Sequence, residues 1–377
     1  MILANVNSGV SEWALRFWPV VLISFVVGVV GTLVSRRAAL KFGIVDRPDN
    51  IVKTHKKPTA YLGGIGILAG FLAGIIASLV LFGDDGVYGF PLKWLIGVSA
   101  GGAIACIVGL IDDLRNIRPL QKIIGQLCAA AAIVICGIRP FAAATGDGAG
   151  FGSTGALLIS IPIVAVFVLG ATNSLNLLDG IDGLCGSVTA VMAGGMFLLA
   201  VMFRSSTAGD AESSLVAVLA LATVGSVCGF LIFNRHPATI FMGDAGSLLL
   251  GYIMASMMLV FATVGVKWCL CSVMIFGMPI LDTSVAFLRR WLNKRPFFVS
   301  DRGHVYDQMM DRGLSLKNTV RVFCLGAAGF AAVGLFVSLL PFIYGLLVAV
   351  LAAAVLLVFV SLRGYLRMEG LRGVKGK

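Results

Sequence analysis

Charge is what this sequence has least of. Asp, Glu, Lys and Arg make up 12% of its 377 residues, about half the share of roughly 25% found in soluble domains, and the mean hydropathy is +0.99. That composition excludes a soluble globular protein and identifies an integral membrane protein. Histidine is scarcer still, with three residues. The eight cysteines form no CxxC pair and fall almost wholly inside apolar runs. They read as buried, reduced packing residues, which argues against a disulfide framework. No repeat, soluble domain or long linker interrupts the chain, so a single domain over residues 1–377 is expected.

What the chain has in abundance is apolar runs of about 20 residues, the length that crosses a hydrocarbon core of roughly 30 Å. Eleven are legible, near 18–35, 62–82, 94–111, 120–138, 156–172, 187–203, 214–233, 247–264, 268–288, 319–339 and 342–362. The last two meet at Pro341, so the expected architecture is an all-α polytopic membrane protein with 10 or 11 transmembrane helices. Backbone groups in lipid must be satisfied internally, which favours helices over open sheet. The 47 glycines suit close helix–helix approach. Of the 29 Lys and Arg residues, all but Arg16, Lys93, Arg139, Arg204 and Lys267 fall in one set of loops. The positive-inside rule makes that set cytoplasmic, with the N-terminus outside and the C-terminus inside. The first apolar run has no basic stretch before it and Arg36-Arg37 after it, the pattern of a retained anchor. The expected location is the inner (plasma) membrane. A net charge of +11 suits anionic lipid head groups, and no nucleic-acid partner is expected.

Polar residues interrupt this pattern at a few places. Asn173-Ser174-Leu175-Asn176-Leu177-Leu178-Asp179-Gly180-Ile181-Asp182-Gly183-Leu184 joins two apolar runs, where an Asp toward a span centre costs roughly 2.5–3.5 kcal/mol. If Asp179 opens a helix, Asp182 shares its face one turn along; the alternative is a polar loop with Asp179 as an N-cap. Asp112-Asp113 closes the third run. Adjacent carboxylates repel by about 4 kcal/mol at 4 Å in an effective dielectric of 20, which implies a bound cation or a basic partner such as Arg115 or Arg118. Asp244 precedes the eighth run, where it can cap a helix, bind a metal, or do both. The first loop offers Lys53, His55, Lys56, Lys57 and Thr59, and the fifth Arg302 and His304. Each loop alone permits an ordinary structural reading. Together, Asp112, Asp113, Asp179, Asp182 and Asp244 lie on one membrane face at span termini. Hard oxygen donors with few histidines favour Mg²⁺ or Mn²⁺, which takes one or two carboxylates plus phosphate oxygens. The implied chemistry is phosphate chemistry at the cytoplasmic surface.

The Asp112-Asp113 pair, the Asn173-x-x-Asn176-x-x-Asp179-Gly-Ile-Asp182-Gly-Leu stretch and Asn234-x-x-Pro237-Ala238-x-x-Phe241-Met242-Gly243-Asp244-x-Gly246-Ser247 resemble the polyprenyl-phosphate N-acetylhexosamine-1-phosphate transferases. The resemblance runs from about Asp46 to Leu316. It implies transfer of a sugar 1-phosphate from a UDP-N-acetylhexosamine to undecaprenyl phosphate, with release of UMP, and a start to lipid-linked cell-envelope glycan synthesis. It assigns Asp244 to the metal, Asp112 and Asp113 to catalysis, Asn176, Asp179, Asp182, Asn234 and Phe241 to the uridine diphosphate, and Asn173 to substrate binding. Lys57, Thr59, Arg302 and His304 are implied as further substrate contacts. The partners implied are the UDP-sugar, undecaprenyl phosphate and membrane lipid, with a homodimer allowed. Where the family commonly carries His-x-His-His, this chain has His304, Tyr306 and Asp307. The peptidoglycan branch, which uses UDP-MurNAc-pentapeptide, is similar but ends its last loop differently. A transporter, the competing class, predicts charges near span centres, whereas these Asp residues cluster at span ends. The Asp-Gly pattern of the CDP-alcohol phosphotransferases does not continue after Asp179-Gly180.

Overall fold

The structure is a computed structural model that describes residues 2–46, 58–82, 91–141, 152–207, 210–295 and 303–367. Thirteen helices lie within them: α1 (Ile2–Phe42), α2 (Gly63–Phe82), α3 (Leu92–Arg115), α4 (Pro119–Ile135), α5 (Gly152–Leu178), α6 (Leu184–Thr207), α7 (Asp210–Asn234), α8 (Gly243–Val264), α9 (Val266–Ile275), α10 (Gly277–Leu292), α11 (Val305–Asp311), α12 (Leu316–Ser338) and α13 (Phe342–Leu362). Helix α8 is the axis of the bundle. Every residue from Ala245 to Ala262 is buried, and α2, α3, α5, α7 and α9 all pack on it. Helix α13 is more apolar still but mostly exposed, and among the described residues it packs mainly on α12 and α9. A helix that is apolar all round is a core element or a lipid-facing one; here one chain contains both.

Among the described residues, nine helices are long and apolar enough to cross a membrane, or ten if α9 and α10 count as one span. The upper count meets the lower end of the expected 10 or 11, and eleven is not reached, for reasons visible at two places. Helix α4 has only 17 residues, about 26 Å at 1.5 Å per residue, just short of a hydrocarbon core. The run 268–288, expected as one span, breaks at Phe276, and its halves meet at 73°. Gly277 and Pro279 open α10; the proline has no N–H to continue the ladder from α9, and its ring crowds the preceding turn. The doubt at Pro341 resolves into two separate helices, α12 and α13.

The helices do not account for everything. Three short strands, β1 (Val45–Asp46), β2 (Thr59–Tyr61) and β3 (Ile240–Phe241), form a sheet in which β2 pairs antiparallel with β1 and parallel with β3. Ala60 lies opposite Ile240, and Tyr61 opposite Phe241. This sheet was not expected. It joins the first and fourth loops and carries each directly into a helix, β2 into α2 and β3 into α8. The Gly64 N–H donates to the Met242 carbonyl at 3.1 Å, so the starts of α2 and α8 are locked together.

Candidate active site

The last turn of α3 delivers two carboxylates to different tasks. Both oxygens of Asp113 accept backbone hydrogen bonds at the start of α8, from Asp244 N (2.9 Å) and Ala245 N (3.1 Å). The residue before α8, Met242, has no side-chain acceptor, so the cap is supplied from another helix. A carboxylate there satisfies orphan N–H groups and complements the helix dipole. Capping was one of the roles open to Asp244; the structure gives it to Asp113. Two glycines permit the approach. A Cβ at Gly109, one turn before the pair, would overlap the Asp244 carbonyl, and one at Gly243 (φ +68) would overlap the Asp113 carboxylate.

Asp112 turns the other way. Its Oδ1 accepts from Ile117 N at 3.0 Å, and its Oδ2 pairs with Lys122 Nζ at 3.0 Å. The chain reverses between α3 and α4 through Asn116, which adopts a left-handed conformation. Lys122 also donates to Asn176 Oδ1 at 3.1 Å and forms a short ion pair with Asp244 Oδ2. Asn176 completes the group, its Nδ2 donating to Asp244 Oδ1 (2.7 Å) and Ser247 Oγ (3.0 Å). Four helices, α3, α4, α5 and α8, thus converge on one ammonium. The cluster is mostly buried, but the Asp244 side chain keeps 26% of its exposure, so a ligand can reach it.

The third loop is a turn between α5 and α6. Neither Asp179 nor Asp182 opens a helix, so of the two readings the polar turn is the one observed, and the two carboxylates serve different neighbours. Asp179 is half-buried. Desolvation, then repulsion from Asp244, Asp113 and Asp182, push its pKa well above the usual carboxylate range. Asp182 Oδ2 accepts from Ala238 N (3.1 Å) and pairs with His236 Nδ1 (2.7 Å), joining the third loop to the fourth. Asn234 is buried with both ends of its amide used. Gly183 N donates to its Oδ1 at 3.0 Å, and its Nδ2 donates to the Ile240 carbonyl at 2.9 Å. Asn173 lies one turn deeper than Asn176, donating to Gln126 Oε1 (3.2 Å) and the Leu169 carbonyl (2.8 Å). Phe241 is half-buried, edge-on to Tyr61 with centroids 6.0 Å apart. Thr59 is buried in β2, opposite Asp46. His304 is buried at the start of α11, where Nδ1 meets Asp282 Oδ2 at 2.8 Å. Lys57 and Arg302 lie outside the described residues.

Residues 95–262 match glycosyl transferase family 4. Over 322 residues the chain is 32% identical to a probable undecaprenyl-phosphate N-acetylglucosaminyl 1-phosphate transferase of Bacillus subtilis, covering 83% of each protein. The chain belongs to glycosyl transferase family 4. Other relatives are a decaprenyl-phosphate N-acetylglucosaminephosphotransferase of Mycobacterium leprae, 28% identical over 83% of this chain and 80% of that protein, and a phospho-N-acetylmuramoyl-pentapeptide-transferase of Shouchella clausii, 30% identical over 87% and 98%. The family segment contains Asp112, Asp113, Asn173, Asn176, Asp179, Asp182, Asn234, Phe241 and Asp244; Thr59 and His304 lie beyond it.

Two residues of this site escaped the sequence reading. Lys122 was counted as a topology-setting cation, yet a lysine in the first turn of a helix opposes the macrodipole, and that misfit is the signal of a tertiary anion. Asp282 stands inside the apolar run 268–288, where a carboxylate marks a partner or a function. Among the described residues, no three His, Cys, Asp or Glu side chains form a metal cage. The donors present still fit Mg²⁺ or Mn²⁺. Two carboxylates, Asp112 and Asp244, converge on one positive charge, and Mg²⁺ characteristically takes one or two carboxylates and completes its shell with water and substrate phosphate.

Proposed function

We propose that this chain transfers an N-acetylhexosamine 1-phosphate from a UDP-sugar to undecaprenyl phosphate, releasing UMP and starting a lipid-linked envelope glycan, at the cytoplasmic face. The observation that carries this reading is the Lys122 ammonium held between Asp112 and Asp244, with Asn176 beside it. Such a group at the ends of apolar helices is costly unless it meets a charged ligand. The ammonium suits a diphosphate. Mg²⁺, held by Asp244 with Asp112, would neutralise charge on the diphosphate when bound.

In the proposed reaction an oxygen of the lipid phosphate attacks the β-phosphorus, forming a new P–O bond. The bond from that phosphorus to the bridging oxygen breaks, and UMP departs with the oxygen. The lipid phosphate is largely ionised near neutral pH, so positioning and charge neutralisation outweigh proton abstraction. Lys122 supplies fixed positive charge near the departing phosphate. Asp113 keeps the start of α8, and hence Asp244, in place, while Asp182 and Asn234 brace the third loop against the fourth. The test is UMP release by purified protein given undecaprenyl phosphate and UDP-GlcNAc or UDP-GalNAc. Excess EDTA should abolish release and Mg²⁺ or Mn²⁺ restore it; full turnover in EDTA would defeat the metal assignment. Because one relative is a phospho-N-acetylmuramoyl-pentapeptide-transferase, UDP-MurNAc-pentapeptide belongs in the panel, and preference for it would reassign the donor.

A further inference from the structure

Two side chains of α10 hold three consecutive residues of the last loop. Arg289 Nη1 donates to the carbonyl of Gly303, and a Cβ on Gly303 would overlap that guanidinium. Asp282 lies seven residues earlier, two turns along the same face. Its Oδ1 accepts from Val305 N at 2.7 Å, and its Oδ2 meets His304 Nδ1 at 2.8 Å. Asp282 is 1% exposed and His304 5%, so this contact is a built feature of the interior. A carboxylate facing Nδ1 keeps the proton on that nitrogen and leaves Nε2 as the ring atom for another ligand. The imidazole is held on its face as well, lying parallel to Tyr306 at 10° with centroids 5.5 Å apart. The Tyr306 hydroxyl in turn donates to the Leu177 carbonyl at 3.1 Å, two residues before Asp179, and its ring fills the space beside Gly180. The last loop is therefore anchored to α10 at one end and to the Asp179 turn at the other, with His304 between.

We propose that Asp282 is a positioning residue for the transfer reaction, acting through His304: it sets the tautomer and ring orientation so that Nε2 accepts a hydrogen bond from the sugar of the donor. This rests on the transferase reading above. The pattern is that of a carboxylate orienting a functional histidine, whose removal typically lowers function ten- to a hundredfold.

The experiment is a double-mutant cycle on UMP release, with kcat and KM measured separately and thermal stability in detergent recorded for each protein. An amide offers one acceptor and one donor, so Asp282→Asn leaves His304 either unpartnered or in the opposite tautomer. Asp282→Asn should lower kcat/KM for the UDP-sugar roughly ten- to a hundredfold, with KM for undecaprenyl phosphate unchanged. In a His304→Ala background the same change should have less than about a twofold effect, because the two residues act as one unit. An equal loss in both backgrounds would show that Asp282 acts through the fold alone, and wild-type kcat/KM in Asp282→Asn would overturn the role outright. Should Asp282→Asn fail to fold, Asp282→Glu goes through the same cycle with the same criteria, since it keeps the charge but displaces it by a methylene. Absence of UMP release from the wild type would sink the transferase reading and this role together; robust wild-type turnover with an additive cycle sinks only the latter.

Discussion

At the scale of single residues, the site separates charges that the sequence lists side by side. Asp112 faces the Lys122 ammonium and Asp113 faces backbone N–H groups, so each carboxylate finds positive potential in a different direction and their mutual repulsion is relieved. Lys122→Gln keeps a polar side chain but removes the charge shared by Asp112 and Asp244. Its turnover is expected to fall about a hundredfold or more, the scale for losing a preorganised electrostatic contact to a reacting group. Unchanged UMP release would place the ammonium outside the reaction. Asp179 makes a separate prediction. Its raised pKa means that the folded protein binds more protons than the unfolded chain over the interval between the two values, so stability falls as pH rises through it. Asp179→Asn removes that titration. Without divalent cation, the variant should melt above wild type by a margin that grows as pH rises past the ordinary carboxylate pKa of about 4. A margin that shrinks with rising pH would contradict the assignment.

Among the elements, the start of α8 is the one that others are built to meet. Asp113 caps it from α3, Asn176 reaches its first turn from α5, and β2 and α2 run alongside it. This depends on Gly243, which sits in the left-handed region with no space for a Cβ beside the Asp113 carboxylate. Gly243→Ala should lower stability by roughly 1–3 kcal/mol, the cost of holding a non-glycine residue in that conformation, and should also lower turnover by moving Asp244. A melting temperature equal to wild type would show that the helix start adapts. Strands of two or three residues explain why the sheet was illegible: they are too short to show alternation, and β2 pairs with β3 across 180 positions, from Ala60 to Ile240.

For the whole molecule, the bundle brings the ends of α3, α4, α5 and α8 together, and the positive-inside rule predicts that this end is cytoplasmic. Single cysteines introduced at Lys294 and Lys93, in a background without the native thiols, test this orientation. Both positions are exposed. An impermeant maleimide applied to intact cells should label Lys93→Cys and spare Lys294→Cys; the reverse pattern would invert the topology and move the site outside.

Much of this was determined by the sequence alone. Apolar runs of span length required helices because lipid offers backbone groups no partner. The motifs around Asn176, Asp179 and Asp244 carried the resemblance to the family, and the resemblance implied the reaction. The sequence could not show which charge answers which. That was decided by the tertiary structure, because ion pairs and caps act over about 3 Å and only packing sets such distances between residues far apart in the chain. Lys122 meets Asp244 across 122 positions, Asp113 caps a helix 131 positions away, and Asp282 meets His304 across 22.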